Sequence, residues 1–136
     1  MQEPIIILVT EEYQVAQARR AAMALAESLG FKQVAVYSIA TSVSELAYNL
    51  LLHASRGGTI ALTALERKGQ MGIEVIAEDN GPGILDPERV VQDGVSTAGG
   101  LGGGLAGVGR LMDEFEITSA PGVGTRIVAR KWQACK

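Results

Sequence analysis

The chain has 136 residues, a hydrophobic fraction of 47% and a formal net charge of −3. This length predicts one domain over 1–136, and the composition excludes intrinsic disorder and collagen-like or disulfide-rich scaffolds. The sequence has no cluster of lysines and arginines dense enough to bind a phosphate backbone, so we expect no nucleic-acid partner. The apolar run Ile5–Val9 is too short for a signal or membrane segment, and the single Cys135 suits a reducing compartment. We therefore expect a cytoplasmic protein with no membrane contact.

The first two thirds of the chain show the patterns of one strand, two helices and two further strands, in that order. A helix that follows the first strand is expected to end at Gly30, a residue that suits the left-handed end of a helix. In chain order we predict a strand at 5–10, helices at Tyr13–Leu29 and Gln33–Ala54, and strands at Thr59–Leu65 and Ile73–Glu78, joined by a polar turn.

The last third combines a glycine-rich stretch with a terminal hairpin. We predict a short helix at Asp86–Gln92, a helix at Leu105–Met112, and strands at Phe115–Ala120 and Thr125–Trp132 around a turn. Because several strands follow one another directly, this order favours an α/β (α+β) two-layer sandwich over a doubly wound parallel sheet. The predicted sheet is mixed, largely antiparallel and covered on one face by helices.

The second predicted helix has two unlike faces. One is an apolar stripe, and the other carries Ser38, Ser42, Glu45 and Asn49. A solvated outer face is one interpretation, although such faces usually carry long lysines and glutamates. The alternative is a site, because residues four apart are neighbours on one helical turn. A carboxylate and an amide oxygen so placed can share a divalent cation or position a hydroxyl beside it.

An acidic turn follows the strand that ends near Glu78. It is either an ordinary turn or part of a pocket for a flat ring. In the second case Asp79 accepts a hydrogen bond from an exocyclic amine, and Gly81 and Gly83 let the backbone come close to the ring.

Glycine is concentrated in one segment of the chain. Of the 17 glycines, eight fall between residues 94 and 109, and the run 99–105 precedes a predicted helix. Backbone amides at such a position form a phosphate cradle, but the lysine and hydroxyl of a Walker loop are missing. A flexible linker is the alternative. A mobile lid over a nucleotide accounts better for the density of glycines.

Taken in order, these features resemble the GHKL (Bergerat-fold) ATP-binding superfamily. The features are the Glu45 and Asn49 pair, Asp79-x-Gly81-x-Gly83, Gly102-x-Gly104 and Gly124-Thr125. Within this superfamily, the chain is similar to the small serine/threonine kinases of bacterial partner-switching modules, above all the stressosome switch kinases. The residues that carry this similarity are 93–105, 107–108 and 110–115. The resemblance covers nearly the whole chain and implies a Bergerat fold that uses ATP and Mg²⁺.

The resemblance also implies a role for each matching position. Glu45 would be the general base for the attacking hydroxyl, and Asn49 would ligate Mg²⁺. Asp79, supported by Thr125, would bind the adenine. Gly81 and Gly83 would line the base pocket, and Gly102, Gly103, Gly104 and Leu105 would surround the phosphates.

The implied activity is a protein serine/threonine kinase. Its substrates would be STAS-domain proteins of the stressosome scaffold and antagonist type, and its release would activate a downstream phosphatase or other output protein. Two alternatives stay open. One is an ATP-gated protein that sequesters a partner such as a sigma factor, and the other is the ATPase part of a histidine kinase.

Overall fold

The computed structural model describes residues 3–53, 57–79, 104–120 and 124–133. The predicted elements within these ranges are present, and the largest difference is the start of β3, at Gln70 instead of Ile73. The predicted helix Asp86–Gln92 lies outside the described residues. The elements are β1 (Ile5–Val9), α1 (Glu12–Ser28), α2 (Gln33–His53), β2 (Gly58–Arg67), β3 (Gln70–Asp79), α3 (Gly104–Leu111), β4 (Glu114–Ala120) and β5 (Gly124–Trp132).

The five described strands form one sheet in the order β1-β2-β3-β5-β4, and each of its four pairings is antiparallel. The hairpin between β2 and β3 turns on Lys68 and Gly69, whose φ angles are 53° and 80°. Two central residues with positive φ are typical of a type I′ turn, whose twist matches that of the flanking strands. The largely antiparallel character predicted for the sheet is confirmed, and the described strands include no parallel pair that would make the sheet mixed.

The helices cover one face of this sheet. α1 and α2 pack against each other and against the strands, and α3 packs against α2. Alternate strand residues point into the space between the layers, because side chains on a strand alternate between its two faces. Buried members of this core include Ile60, Leu62, Val75 and Ala77 from the sheet, and Ile39, Val43 and Leu46 from α2. Among the described helices, none has the length and apolar character needed to cross a membrane.

The opposite face of the sheet carries an ion-pair network that joins four strands. Arg130 donates from Nε to Glu74 Oε2 at 2.8 Å and from Nη1 to Glu114 Oε1 at 3.0 Å. Glu114 Oε2 also accepts hydrogen bonds from Arg67 Nη1 at 2.7 Å and from Trp132 Nε1 at 2.8 Å. The Arg67 guanidinium lies 4.4 Å from the centre of the Trp132 ring, within the range of a cation–π interaction.

Gly72 makes this arrangement possible. It pairs with Trp132 in the sheet, and a Cβ atom added to Gly72 would lie 2.4 Å from Trp132 Cε3. The absence of a side chain therefore lets the indole lie across β3 and meet Arg67.

The network makes part of the stability dependent on pH. Hydrogen bonds from Arg67 and Trp132 lower the pKa of Glu114 from its usual 4.5 to about 2. Because the folded-state pKa lies below the unfolded one, the contribution of Glu114 is present above pH 4.5 and is lost as the pH falls from 4.5 to about 2.

We predict that Glu114→Gln lowers the free energy of unfolding at pH 7 and that the difference from the parent shrinks at pH 3. Partly exposed pairs contribute about 0.2–1 kcal/mol each, so a small but measurable loss is expected. Urea unfolding at pH 7, 5 and 3 measures it. Glu116→Gln, an exposed carboxylate on the same strand and face, is the control. A difference for Glu114→Gln that is as large at pH 3 as at pH 7 would contradict the assignment.

Candidate functional site

The polar stripe of α2 is largely shielded from solvent. Ser42 is 0% exposed and Asn49 is 6% exposed. Glu45 is half-buried, and its Oε2 atom is buried without a hydrogen bond from any residue that the structure describes. The interpretation of this stripe as a solvated outer face is therefore wrong. A carboxylate oxygen that is buried without a hydrogen bond destabilises the folded protein. Such atoms are rare, and a functional site is one place where they occur.

A close contact at Gly58 places this part of α2 on the sheet. A Cβ atom on Gly58 would lie 2.1 Å from the carbonyl oxygen of Glu78 and 2.8 Å from Leu50 Cδ2. Leu50 therefore packs directly on the backbone of Gly58, which has no side chain and pairs with Asp79 in the sheet. Asn49 precedes Leu50 on α2, so the helical turn that carries Asn49 lies over the strand end that carries Asp79.

Asp79 and Thr125 are brought together by the pairing of β3 with β5. Glu78 pairs with Arg126, and Asp79 and Thr125 are the next residues along the same antiparallel ladder. Because strand side chains alternate, they share the face of the buried residues Ala77 and Ile127, which is the face covered by the helices. Thr125 is 4% exposed and Asp79 is half-buried. The two residues expected to bind one adenine are thus neighbours.

The glycine-rich part of the expected site is described only at its end. Gly104 is the first residue of α3, and Leu105 is 4% exposed with its side chain in the hydrophobic core. Leu105 can therefore meet a phosphate only through its backbone, at a helix end where N–H groups lack helical partners. The predicted residues Gly81, Gly83, Gly102 and Gly103 lie outside the described residues.

Two residues in or beside this site, Ser42 and Gly58, were assigned no specific role from the sequence. Ser42 stood on the predicted polar stripe, and its small uncharged side chain was the signal that it is buried. For Gly58 the only indication in the sequence was its position, a glycine directly before a predicted strand. Its close contacts depend on tertiary packing, which the sequence does not display.

A separate open groove runs between α1 and α2, with a volume of about 620 Å³. Tyr48 Oη donates a long hydrogen bond to Glu12 Oε1 at 3.5 Å inside it. At about 100° per residue, Ser44 and Tyr48 stand on a different side of α2 from Glu45 and Asn49. The groove is lined by Glu12, Tyr13, Val15, Ala16, Arg19, Ser44 and Tyr48.

Comparison with known sequences relates this chain to ATP-dependent kinases. Residues 8–131 match the family of the histidine kinase-like ATPase domain. The chain is 44% identical over 132 residues to "Serine/threonine-protein kinase RsbT" of Bacillus subtilis (strain 168), covering 97% of this chain and 98% of the relative. It is 36% identical over 104 residues to "Anti-sigma F factor" of Caldanaerobacter subterraneus subsp. tengcongensis, covering 71% of this chain and 70% of that one.

Solved structures share the fold at low sequence identity. The RsbU and RsbW domains of Rv1364c from Mycobacterium tuberculosis superpose with a TM-score of 0.66 at 17% identity, covering 99% of this chain and 34% of that one. The mycobacterial sensor histidine kinase MprB superposes with a TM-score of 0.57 at 15% identity, covering 99% of this chain and 100% of that one.

The chain therefore belongs to the histidine kinase-like ATPase domain family, and within it to the ATP-binding serine/threonine protein kinases of partner-switching systems. The resemblance to this family and the fold class predicted from the sequence are confirmed, as is the expected serine/threonine protein kinase activity.

We predict that Asp79→Asn weakens ATP binding. An amide can present a donor where the adenine amine needs an acceptor, and an unmatched buried polar group costs about 1–3 kcal/mol. Titration calorimetry measures the dissociation constant of ATP. Glu78→Gln is the matched control, because Glu78 lies on the other face of β3, where it is exposed and 3.8 Å from Arg126 Nε. An unchanged dissociation constant for Asp79→Asn would place the adenine elsewhere.

Proposed function

We propose that this kinase transfers the γ-phosphate of ATP to a seryl or threonyl hydroxyl of a STAS-domain partner, with Glu45 as general base. The observation that carries the proposal is the buried Oε2 atom of Glu45, which no described residue engages. Glu45 lies one helical turn before Asn49, and the next residue, Leu50, packs on Gly58, which pairs with Asp79 in the sheet. A carboxylate oxygen held away from water and not used in a structural hydrogen bond is available to accept a proton.

The proposed transfer conserves atoms and charge. Glu45 accepts the proton of the partner hydroxyl as the partner oxygen forms its bond to the γ-phosphorus. The bond from that phosphorus to the β–γ bridging oxygen breaks, and ADP leaves with the electron pair. Asp79 and Thr125 hold the adenine at the strand ends, so the γ-phosphate is oriented from a fixed point.

Asn49 is the described residue that best suits a magnesium ligand. Its amide is 6% exposed and stands one helical turn after Glu45. Mg²⁺ prefers oxygen ligands and usually binds through a small number of protein groups together with substrate phosphates and water. When bound, Mg²⁺ neutralises charge on the phosphates. Asn49 would contribute its side-chain carbonyl oxygen, while Glu45 remains free to accept the proton.

We predict that Glu45→Gln removes most of the phosphate transfer and leaves ATP affinity nearly unchanged. A general base contributes typically about 10²- to 10⁴-fold to the rate of the chemical step. Single-turnover transfer of labelled phosphate to a purified STAS-domain protein measures the rate, and calorimetry measures binding. Glu66→Gln, an exposed carboxylate near the far end of β2, is the control. A Glu45→Gln rate within a few-fold of the parent would show that Glu45 is not the base.

Phosphorylation would also release the partner. A phosphoryl group adds about −1.5 to −2 charges at the docking surface. The chain has a net charge of −3 and exposes Glu11 and Glu12 at the start of α1. We propose that repulsion shortens the lifetime of the product complex in the cytoplasm and frees the kinase for a downstream phosphatase or other output protein.

We predict a higher affinity for unphosphorylated STAS partner than for the phosphorylated form, with a difference that falls as salt is added. Charge screening weakens the repulsion because the Debye length shortens to about 8 Å at physiological ionic strength. Binding of both forms at low and physiological salt measures the effect. Equal affinities at low salt would exclude release by repulsion and would leave the kinase assignment intact.

A further inference from the structure

Ser42 contains the second buried and unpaired polar atom of α2. Its side chain is 0% exposed, and Oγ forms no hydrogen bond with any part of the chain that the structure describes. A buried hydroxyl without a partner is costly, and nearly all buried polar groups in folded proteins have one. We therefore expect the Ser42 hydroxyl to gain a hydrogen-bond partner when the enzyme has bound ATP and its protein substrate.

Two other helical serines show that this situation is unusual. Ser44 donates from Oγ to the carbonyl oxygen of Ala40 at 3.0 Å, and Ser28 donates to that of Leu25 at 2.7 Å. Such bonds to the preceding helical turn are the ordinary way in which a helix satisfies a serine. Ser42 does not use this solution, so its hydroxyl is not committed to the backbone.

The unpaired atom of Glu45 is the natural complement of this hydroxyl. Ser42 and Glu45 are three residues apart on α2, and such residues are neighbours with Cβ atoms about 5–6 Å apart. A serine hydroxyl can donate one hydrogen bond, and an ionised carboxylate can only accept. α2 thus places a buried donor without an acceptor beside a buried acceptor without a donor.

We propose that Ser42 is a positioning residue for Glu45. In the enzyme loaded with ATP and partner, the Ser42 hydroxyl donates a hydrogen bond to the Glu45 carboxylate, directly or through one water. This bond fixes the carboxylate plane toward the attacking hydroxyl. A carboxylate has about four lone-pair sites, so one bond from Ser42 leaves others for the proton. The inference rests on the proposed role of Glu45 as the base.

The first test is Ser42→Ala. A single hydrogen bond of this kind corresponds to a ~3- to 10-fold change, so kcat should fall by that factor while KM for ATP stays the same. The melting temperature should stay equal or rise, because the substitution removes a buried hydroxyl that has no partner. A residue that merely supports the fold would behave differently, with a lower melting temperature and a lower kcat together.

A matched pair isolates the hydroxyl from the shape of the side chain. Ser42→Thr and Ser42→Val differ from each other only in whether one branch is a hydroxyl or a methyl group. The threonine variant should keep several-fold more activity than the valine variant, even if both are slower than the parent. Ser44→Ala is the control on the same helix and should leave kcat within about twofold, because its hydroxyl bonds only to the backbone.

Combining Ser42→Ala with Glu45→Gln shows through which residue Ser42 acts. If it acts through Glu45, Ser42→Ala causes no further loss of rate in the Glu45→Gln background. A further loss there, a raised KM for ATP, or equal rates for the threonine and valine variants would overturn the inference. A Glu45→Gln rate near that of the parent would instead refute the base assignment. Loss with Glu45→Gln but none with Ser42→Ala would refute the positioning role alone.

Discussion

The close approach of α2 to bare backbone at Gly58 is the contact on which the site depends. Leu50 packs where a side chain on Gly58 would otherwise stand, and the carbonyl oxygen of Glu78 blocks the same space. A larger residue at Gly58 would force α2 away from the ends of β2 and β3. The stripe with Glu45 and Asn49 would then separate from Asp79. The same contact therefore fixes both the packing of the core and the geometry of the site.

α2 therefore serves two functions along its length. Its apolar side is fully buried against the sheet, with Ile39, Val43 and Leu46 at 0% exposure. Its polar side keeps Ser42 Oγ and Glu45 Oε2 buried and unpaired with respect to the described residues. Each such atom costs about 1–3 kcal/mol, a penalty that the burial of the apolar side offsets. Local violations of good packing rules are expected where a sequence has been selected for chemistry as well as stability.

The elements were predictable from sequence where periodicity was strong. α1 and α2 end within one residue of their predicted ends, because Gly30 follows the first helix and glycines follow the second. β3 was predicted three residues too short, since Gln70 is polar, Met71 is flexible and Gly72 has no side chain, so these residues lack the strand alternation. Their strand conformation comes from pairing with Arg67 and Glu66 across the hairpin. The hydrogen bonds of the network around Arg130 and Glu114 join residues up to 56 positions apart, which no local pattern reveals.

The site was predictable in its residue types more than in its geometry. The spacing of Glu45 and Asn49 suggested one helical face, and the resemblance to a family assigned the roles of Asp79 and Thr125. The pairing of β3 with β5 that makes Asp79 and Thr125 neighbours is a tertiary feature. Ser42 stood on the predicted polar face, but only the structure shows that its hydroxyl is buried and, unlike that of Ser44, has no bond to the backbone.

The most direct test of this account is a crystal structure of the protein with Mg²⁺ and a non-hydrolysable ATP analogue. We expect the adenine amine within hydrogen-bonding distance of the Asp79 carboxylate, and the γ-phosphate in front of the α2 stripe that carries Glu45 and Asn49. A nucleotide bound in the groove lined by Glu12, Arg19 and Tyr48 would contradict it. So would an adenine at the strand ends with the γ-phosphate directed away from Glu45.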